Sequence, residues 1–528
     1  MRKKGDRELP ELTTMNRQTN QKLGWSLTIL TIGLSLFITA FITTTSPLFA
    51  FNNSWDGNTM FTVGKGLWHG LMPYRDLFDQ RGPLIYLMNS FSALISYKTF
   101  LGVYLFEALT VFFDIIMSYK IINLKFSRPI SFASSLTLLP IVFNDYFFEN
   151  GELPESLIMP LVLSLIYIVL KNNGKPETNF QLFGQGVAMA VVFWIKFSLI
   201  LPWISFFGLI AVQALFSKHF HELLRKVAAS LAGFMAVSVP LIIFYGVMGA
   251  LSDLFKVYFI INLNYYPHSH LFSFQLIETI SGFVFRNFRT VTISALFLIG
   301  ILYLIFNTTF KWFPKIIILS AALLEVIVIV GNEFSFRYYF VALGVFMVFM
   351  SMGIASGLTY LTEHRFNNQT KVSLITAVIA VGSIFITNRN YRYTILFPHN
   401  QAISTNHNTT TPFQIQFAKI INKSKDRTIL NYNNLDVGIY TATGTLPQTK
   451  YFAKLNLRGF RPLMDTQNYL LNNHQAHFVV FTLLENESIW DSDQQPDDSF
   501  THAYRLVAQR KLIFQNHKMK YLLYELRS

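Results

Sequence analysis

The side chains best suited to chemistry crowd into residues 54–86, SWDGNTMFTVGKGLWHGLMPYRDLFDQRGPLIY. There Asp56, Lys65, Arg75, Asp76, Asp79 and Arg81 alternate with Trp55, Phe61, Trp68, Tyr74, Phe78 and Tyr86. A placed carboxylate takes the proton from an attacking hydroxyl, and a guanidinium forks onto a phosphate. The segment follows the first long apolar run but is too polar for a bilayer interior. Carboxylates, cations and aromatic faces held at a membrane edge suit a reaction on a sugar joined to a lipid phosphate.

Asp56 has two readings. Met60, Val63, Gly64 and Leu67 follow it at helical spacing, so its carboxylate either caps the helix or acts as a general base. The two roles are compatible. Arg75 and Asp76, in the run between Pro73 and Pro83, read as a salt-bridged turn. Arg81 adjoins an apolar helix, near headgroup depth, and is the better partner for a phosphate.

A second acidic stretch, residues 143–160, holds Asp145, Glu149, Glu152 and Glu155 without any Lys or Arg. Glu155 runs straight into an apolar helix, where ionisable groups are costly and usually functional. Glu152 and Glu155 are three residues apart and share a helical face if that helix starts early. They are candidates to position an acceptor or a divalent metal, with no His ligand beside them. Lys196 and Arg337 are isolated cations at the ends of apolar runs, Arg337 followed by Tyr338. They either snorkel to headgroups or clamp a donor phosphate and neutralise the leaving group. No Walker loop, dinucleotide fingerprint or G-x-S-x-G elbow is present.

These residues need a membrane scaffold, and the composition supplies one. Of 528 residues 52% are apolar, 53 are Phe and only 14% are charged, against about 25% in soluble proteins. With no cysteine, thiolate metal sites and disulfides are excluded. The formal charge of +14 is scattered between apolar runs, which points to cytoplasmic loops and anionic lipid rather than nucleic acid. Spans of about 20 residues are expected at 23–44, 100–122, 129–145, 155–170, 182–197, 199–216, 227–249, 290–306, 315–331, 338–358 and 372–388. These eleven, with Lys and Arg concentrated on one set of loops, place the N-terminus inside and the tail outside.

The expected organisation is a cytoplasmic tail, 1–22, then a membrane domain, 23–388, whose first outer loop is 45–99, then an extracytoplasmic α/β domain, 389–528. Residues 83–97 read as an interfacial helix, and 250–289 as a long outer loop able to act as a lid. In the tail, 412–421 has helical spacing, while 428–432, 478–484, 504–514 and 520–526 read as strands.

The opening loop resembles the first outer loop of the GT-C glycosyltransferases, above all the bacterial relatives of protein O-mannosyltransferases and the lipid A aminoarabinose transferase. The likeness rests on Asp56, Gly64 and Gly66, the turn Pro73-Tyr74-Arg75-Asp76, and Asp79 running through Pro83-Leu84 to Tyr86. GELPESLIMPLVLSL resembles the family's second acidic motif and RYYF its late Arg-Tyr motif. The tail, especially NNLDVGIYTATGTLPQTKYF, is similar to the extracellular domain of Gram-positive teichoic acid or polysaccharide glycosyltransferases.

The resemblance implies a mainly α polytopic membrane protein with a GT-C-like catalytic domain. It implies Asp56 as base, Glu152 or Glu155 as the second acidic site, and Arg81, Lys196, Arg337 and Tyr338 on the phosphate side. The donor would be a polyprenyl-phosphate sugar and the acceptor a cell-envelope polymer. Many relatives carry Asp-Glu where this chain has Asp56-Gly57, a departure that weighs against protein mannosylation. Two rivals are a lipid-linked sugar flippase, which calls for ionisable groups at mid-bilayer in matching halves, and a non-catalytic anchor for a wall-binding domain.

Overall fold

The computed structural model describes residues 9–266, 281, 284–330, 336–397, 411–490, 496, 499–514 and 517–527, with side chains from residue 24 onward except at 330 and 514. The first helix, Leu9–Ile42, begins inside the stretch expected to be a polar tail, and its apolar part is Gly24–Ile42. Among the described residues eight helices are long and apolar enough to cross a membrane: Gly24–Ile42, Leu101–Ile122, Pro154–Asn172, Phe220–Val247, Phe288–Phe306, Trp312–Ile329, Arg337–His364 and Gln369–Thr387. The three remaining expected spans correspond to shorter apolar helices, Arg128–Val142, Asn179–Ile195 and Leu201–Phe216. Large apolar side chains such as Ile29, Phe113, Ile243, Leu298 and Val378 face outward from these helices, as lipid contact requires. The protein is a multi-pass membrane protein.

Two features of the opening loop set the site. Helix Trp55–Leu67 is capped by Ser54, whose hydroxyl accepts from the Gly57 amide. Asp56 lies in the first turn and is not the cap, so its carboxylate is left for other partners. Helix Pro83–Ile95 then starts on Gly82 with proline at its first position. It buries Ile85, Tyr86 and Asn89 and exposes Phe91, Leu94 and Ile95, the two-faced pattern of a helix lying at an interface. Of the proposed lid, Leu251–Phe255, Lys256–Ile261 and Asn262–Tyr265 are helical, while residues 267–280 lie outside the described residues.

The tail folds around four strands, β1 (Ile429–Tyr432), β2 (Phe478–Leu484), β3 (Tyr504–Phe514) and β4 (His517–Leu526). Their order is β1-β2-β4-β3, with β1 and β2 parallel and the other pairs antiparallel. Helix Phe413–Ile421 packs Phe413 against Tyr521, ring centroids 3.9 Å apart.

The tail is joined to the opening loop by one continuous apolar core, running from Met60, Tyr74, Phe78 and Tyr86 to Phe417, Val437, Tyr440 and Val479. Phe78 stacks on Phe460 at 5.2 Å, and its amide donates to the Lys450 carbonyl at 2.9 Å. Asp436 accepts from the Thr62 hydroxyl at 2.7 Å, and Lys65 donates to Thr441 at 2.8 Å. Both polar contacts are buried, so the helix carrying Asp56 is braced by the tail as well as by its own loop.

Candidate active site

A close backbone approach brings the loop to the membrane helices. The Gly82 amide donates to the Ile195 carbonyl at 3.2 Å, and a Cβ on Gly82 would sit 2.2 Å from the Trp194 carbonyl oxygen. Only glycine fits there. The contact brings Arg81 and Lys196, far apart in sequence, to the wall of one cavity. Tyr74, itself at φ 72, fixes the other side of the loop by donating to the Arg81 carbonyl at 2.7 Å.

The result is a cavity of about 310 Å³ whose walls include Asp56, Arg81, Glu152, Lys196, Tyr338 and Tyr339. Arg81 pairs with Asp56 through one guanidinium nitrogen and with Asp79 through the other. Asp79 is fully buried and accepts with both oxygens at 2.8 Å. Burial works against the Arg81 charge, but the Asp56 and Asp79 carboxylates more than reverse this and hold it charged well above its ordinary range.

Lys196 makes the second ion pair, with the buried carboxylate of Glu155, and lies 4.1 Å from the centre of the Tyr339 ring. Its ammonium is held within the protein by these two contacts. Behind it, Glu155 and Glu325 border a much smaller void. Glu325, an acid inside an otherwise apolar span, was open to detection by that signal alone and is absent from the sequence-based candidates.

Glu152 and Glu155 do not share a helical face. Pro154 opens the helix, and Glu152 precedes it in the left-handed region at φ 56. Glu152 joins the wall of this cavity, accepts from Asn52 at 3.4 Å, and donates its own amide to Glu107. Burial and the neighbouring Glu107 raise its carboxyl well above the usual range, against the pull of Asn89, Arg81 and Asn52. Among the described residues no group of three or more His, Asp or Glu is arranged to hold a metal ion.

Arg337 is exposed and covers the Tyr146 ring at 4.8 Å; the cavity wall includes its neighbour Tyr338 and not Arg337 itself. Glu149 feels both ends of this region. Burial raises it to about 7, with Arg337 lowering and Asp56 and Glu155 raising it further. Arg75 and Asp76 form the expected turn, paired at 2.7 Å. Sequence reasoning also missed Tyr258, Asn262, Tyr266 and the tail's Asn456, all of which line the cavity.

No family model matches the chain, and no curated protein matches it. Among solved structures it is similar to ArnT from Cupriavidus metallidurans bound to undecaprenyl phosphate, with a TM-score of 0.58 and 11% identity over 95% of this chain and 98% of that one. The apo state of the same protein gives a TM-score of 0.57, with equal identity and coverage.

Proposed function

On the GT-C fold that this chain shares with ArnT, we propose an integral-membrane glycosyltransferase that moves a sugar from a polyprenyl-phosphate donor to a cell-envelope polymer. Teichoic acid or another envelope polysaccharide is the acceptor class, and the reaction lies on the outer face, with the N-terminus cytoplasmic and the tail outside. The observation that carries the reading is the convergence of Asp56, Arg81 and Lys196 on one cavity. The bound undecaprenyl phosphate of the ArnT structure supports the donor class.

The ion pairs suggest how the site works. A donor phosphate entering the cavity competes with Asp56 for Arg81 and with Glu155 for Lys196. Asp79 keeps the guanidinium in place throughout this exchange. Asp56, released from its partner, accepts the proton of the acceptor hydroxyl. The hydroxyl oxygen forms its bond to the anomeric carbon as the bond from that carbon to the phosphate oxygen breaks. The electron pair leaves on the phosphate, where Arg81 and Lys196 balance the growing charge. One displacement with one base inverts the anomeric centre. The donor brings its own leaving group, so no nucleotide-binding motif is needed.

The test is to incubate the purified protein with a panel of polyprenyl-phosphate sugars and an envelope polymer fraction, and to measure release of the free carrier phosphate. Release that requires acceptor supports the reading. Absence of release with every donor would defeat it.

A further inference from the structure

The helix that carries Asp56 has a gap in its first turn, and a buried acid fills it. A Cβ built on Gly57 would lie 2.0 Å from Oε2 and 2.8 Å from Cδ of Glu152. Such distances mean overlap, so the Glu152 carboxyl rests directly on the Gly57 backbone. Glu152 has no exposed surface, and its backbone is held away from helix geometry by the following Pro154 and by Glu107. A methyl group at 57 would push that carboxyl off its seat, toward the cavity whose wall it joins. The side chain lies between Asn52, which donates to it at 3.4 Å, and the first helical turn, which also holds Asp56.

We propose that Gly57 and Glu152 form a positioning pair: the missing side chain at 57 seats the Glu152 carboxyl against the helix, and this seat sets where the Asp56 carboxylate enters the cavity. The inference rests on the glycosyl-transfer reading for its catalytic consequence and on geometry alone for the pairing. Glu152 acts through Asp56 and not by exchanging a proton with substrate. Burial, which favours the neutral carboxyl, fits a group that packs and hydrogen-bonds without ionising. A glutamine has the same shape and hydrogen-bonding reach, so the seat tolerates it.

The test is a double-mutant cycle read by kinetics and melting temperature in the full-length protein, using whichever donor of the panel turns over. Glu152→Ala and Gly57→Ala each lower kcat, by about 100-fold if the base is misplaced, and leave the donor KM within a few-fold. Glu152→Gln stays within about threefold of the unaltered protein, as a proton-transfer role would not allow. The double variant Gly57→Ala/Glu152→Ala is no slower than Glu152→Ala alone, and it melts above Gly57→Ala because the overlap is gone. Unchanged kcat and melting temperature in Gly57→Ala, or equal penalties for that change in both backgrounds, would overturn the pairing. An unaltered protein with no turnover would instead remove the glycosyl-transfer reading, and the melting temperatures would still decide the pair.

Discussion

Arg81 donates through one guanidinium nitrogen to both oxygens of the buried Asp79, at 2.8 Å each, which leaves its other nitrogen free to face Asp56. The acid with no surface exposure therefore acts as anchor, and the partly exposed Asp56 acts as the exchangeable partner. Arg81→Lys loses the planar fork whose two nitrogens each face one carboxylate, and transfer should fall about 100-fold with the protein still folded. Asp79→Ala leaves the largely buried guanidinium with Asp56 as its one remaining carboxylate, a loss on the order of 1.5–3 kcal/mol, visible as a drop in melting temperature in detergent.

Lys196 faces a choice between Glu155 and a ligand. Lys196→Met should weaken undecaprenyl phosphate binding tenfold or more, since a charge-assisted hydrogen bond contributes about 1.5–3 kcal/mol. Glu155→Gln frees the ammonium from its resting partner and should not weaken binding. Titration calorimetry on both variants reads the two directions.

Near neutral pH the charge around the cavity changes at Glu149, which burial raises to about 7. Below that pH the group is neutral; above it, a negative charge joins Asp56 and Glu155 and opposes an incoming phosphate. The donor KM should rise between about pH 6 and pH 8, and Glu149→Gln should flatten that part of the profile.

Lys65 offers a stability test of the contact between helix and tail. Burial lowers it from 10.5 to about 7, partly offset by Asp436. Between those values the unfolded chain binds a proton that the folded chain does not, so stability rises with pH through this window. Melting temperatures of Lys65→Met and the unaltered protein, compared from pH 7 to pH 9.5, should show the slope only in the latter.

The legible parts of the fold were those written in local pattern. Hydropathy located the apolar helices, and short apolar runs between turn residues located the four tail strands, because each signal arises within a few residues of chain. Asp56 and Arg81 stood out because charge beside a bilayer is conspicuous. The grouping was not legible. That Lys196 meets Glu155 and shares a cavity with Arg81 depends on the Gly82 contact with the end of helix Asn179–Ile195, which no local window contains. The shared face expected for Glu152 and Glu155 failed at Pro154, which starts the helix too late to include Glu152. Arg337 and Tyr338 read as a unit in sequence, but successive residues diverge in direction, and the cavity wall takes in Tyr338 alone of the two.

The most direct measurement is transfer by Asp56→Asn, a change that preserves the shape of the side chain and removes its ability to take a proton. The account predicts a folded, membrane-inserted protein that still binds undecaprenyl phosphate and releases no carrier phosphate in the presence of donor and acceptor. Transfer at a rate near that of the unaltered protein would contradict it.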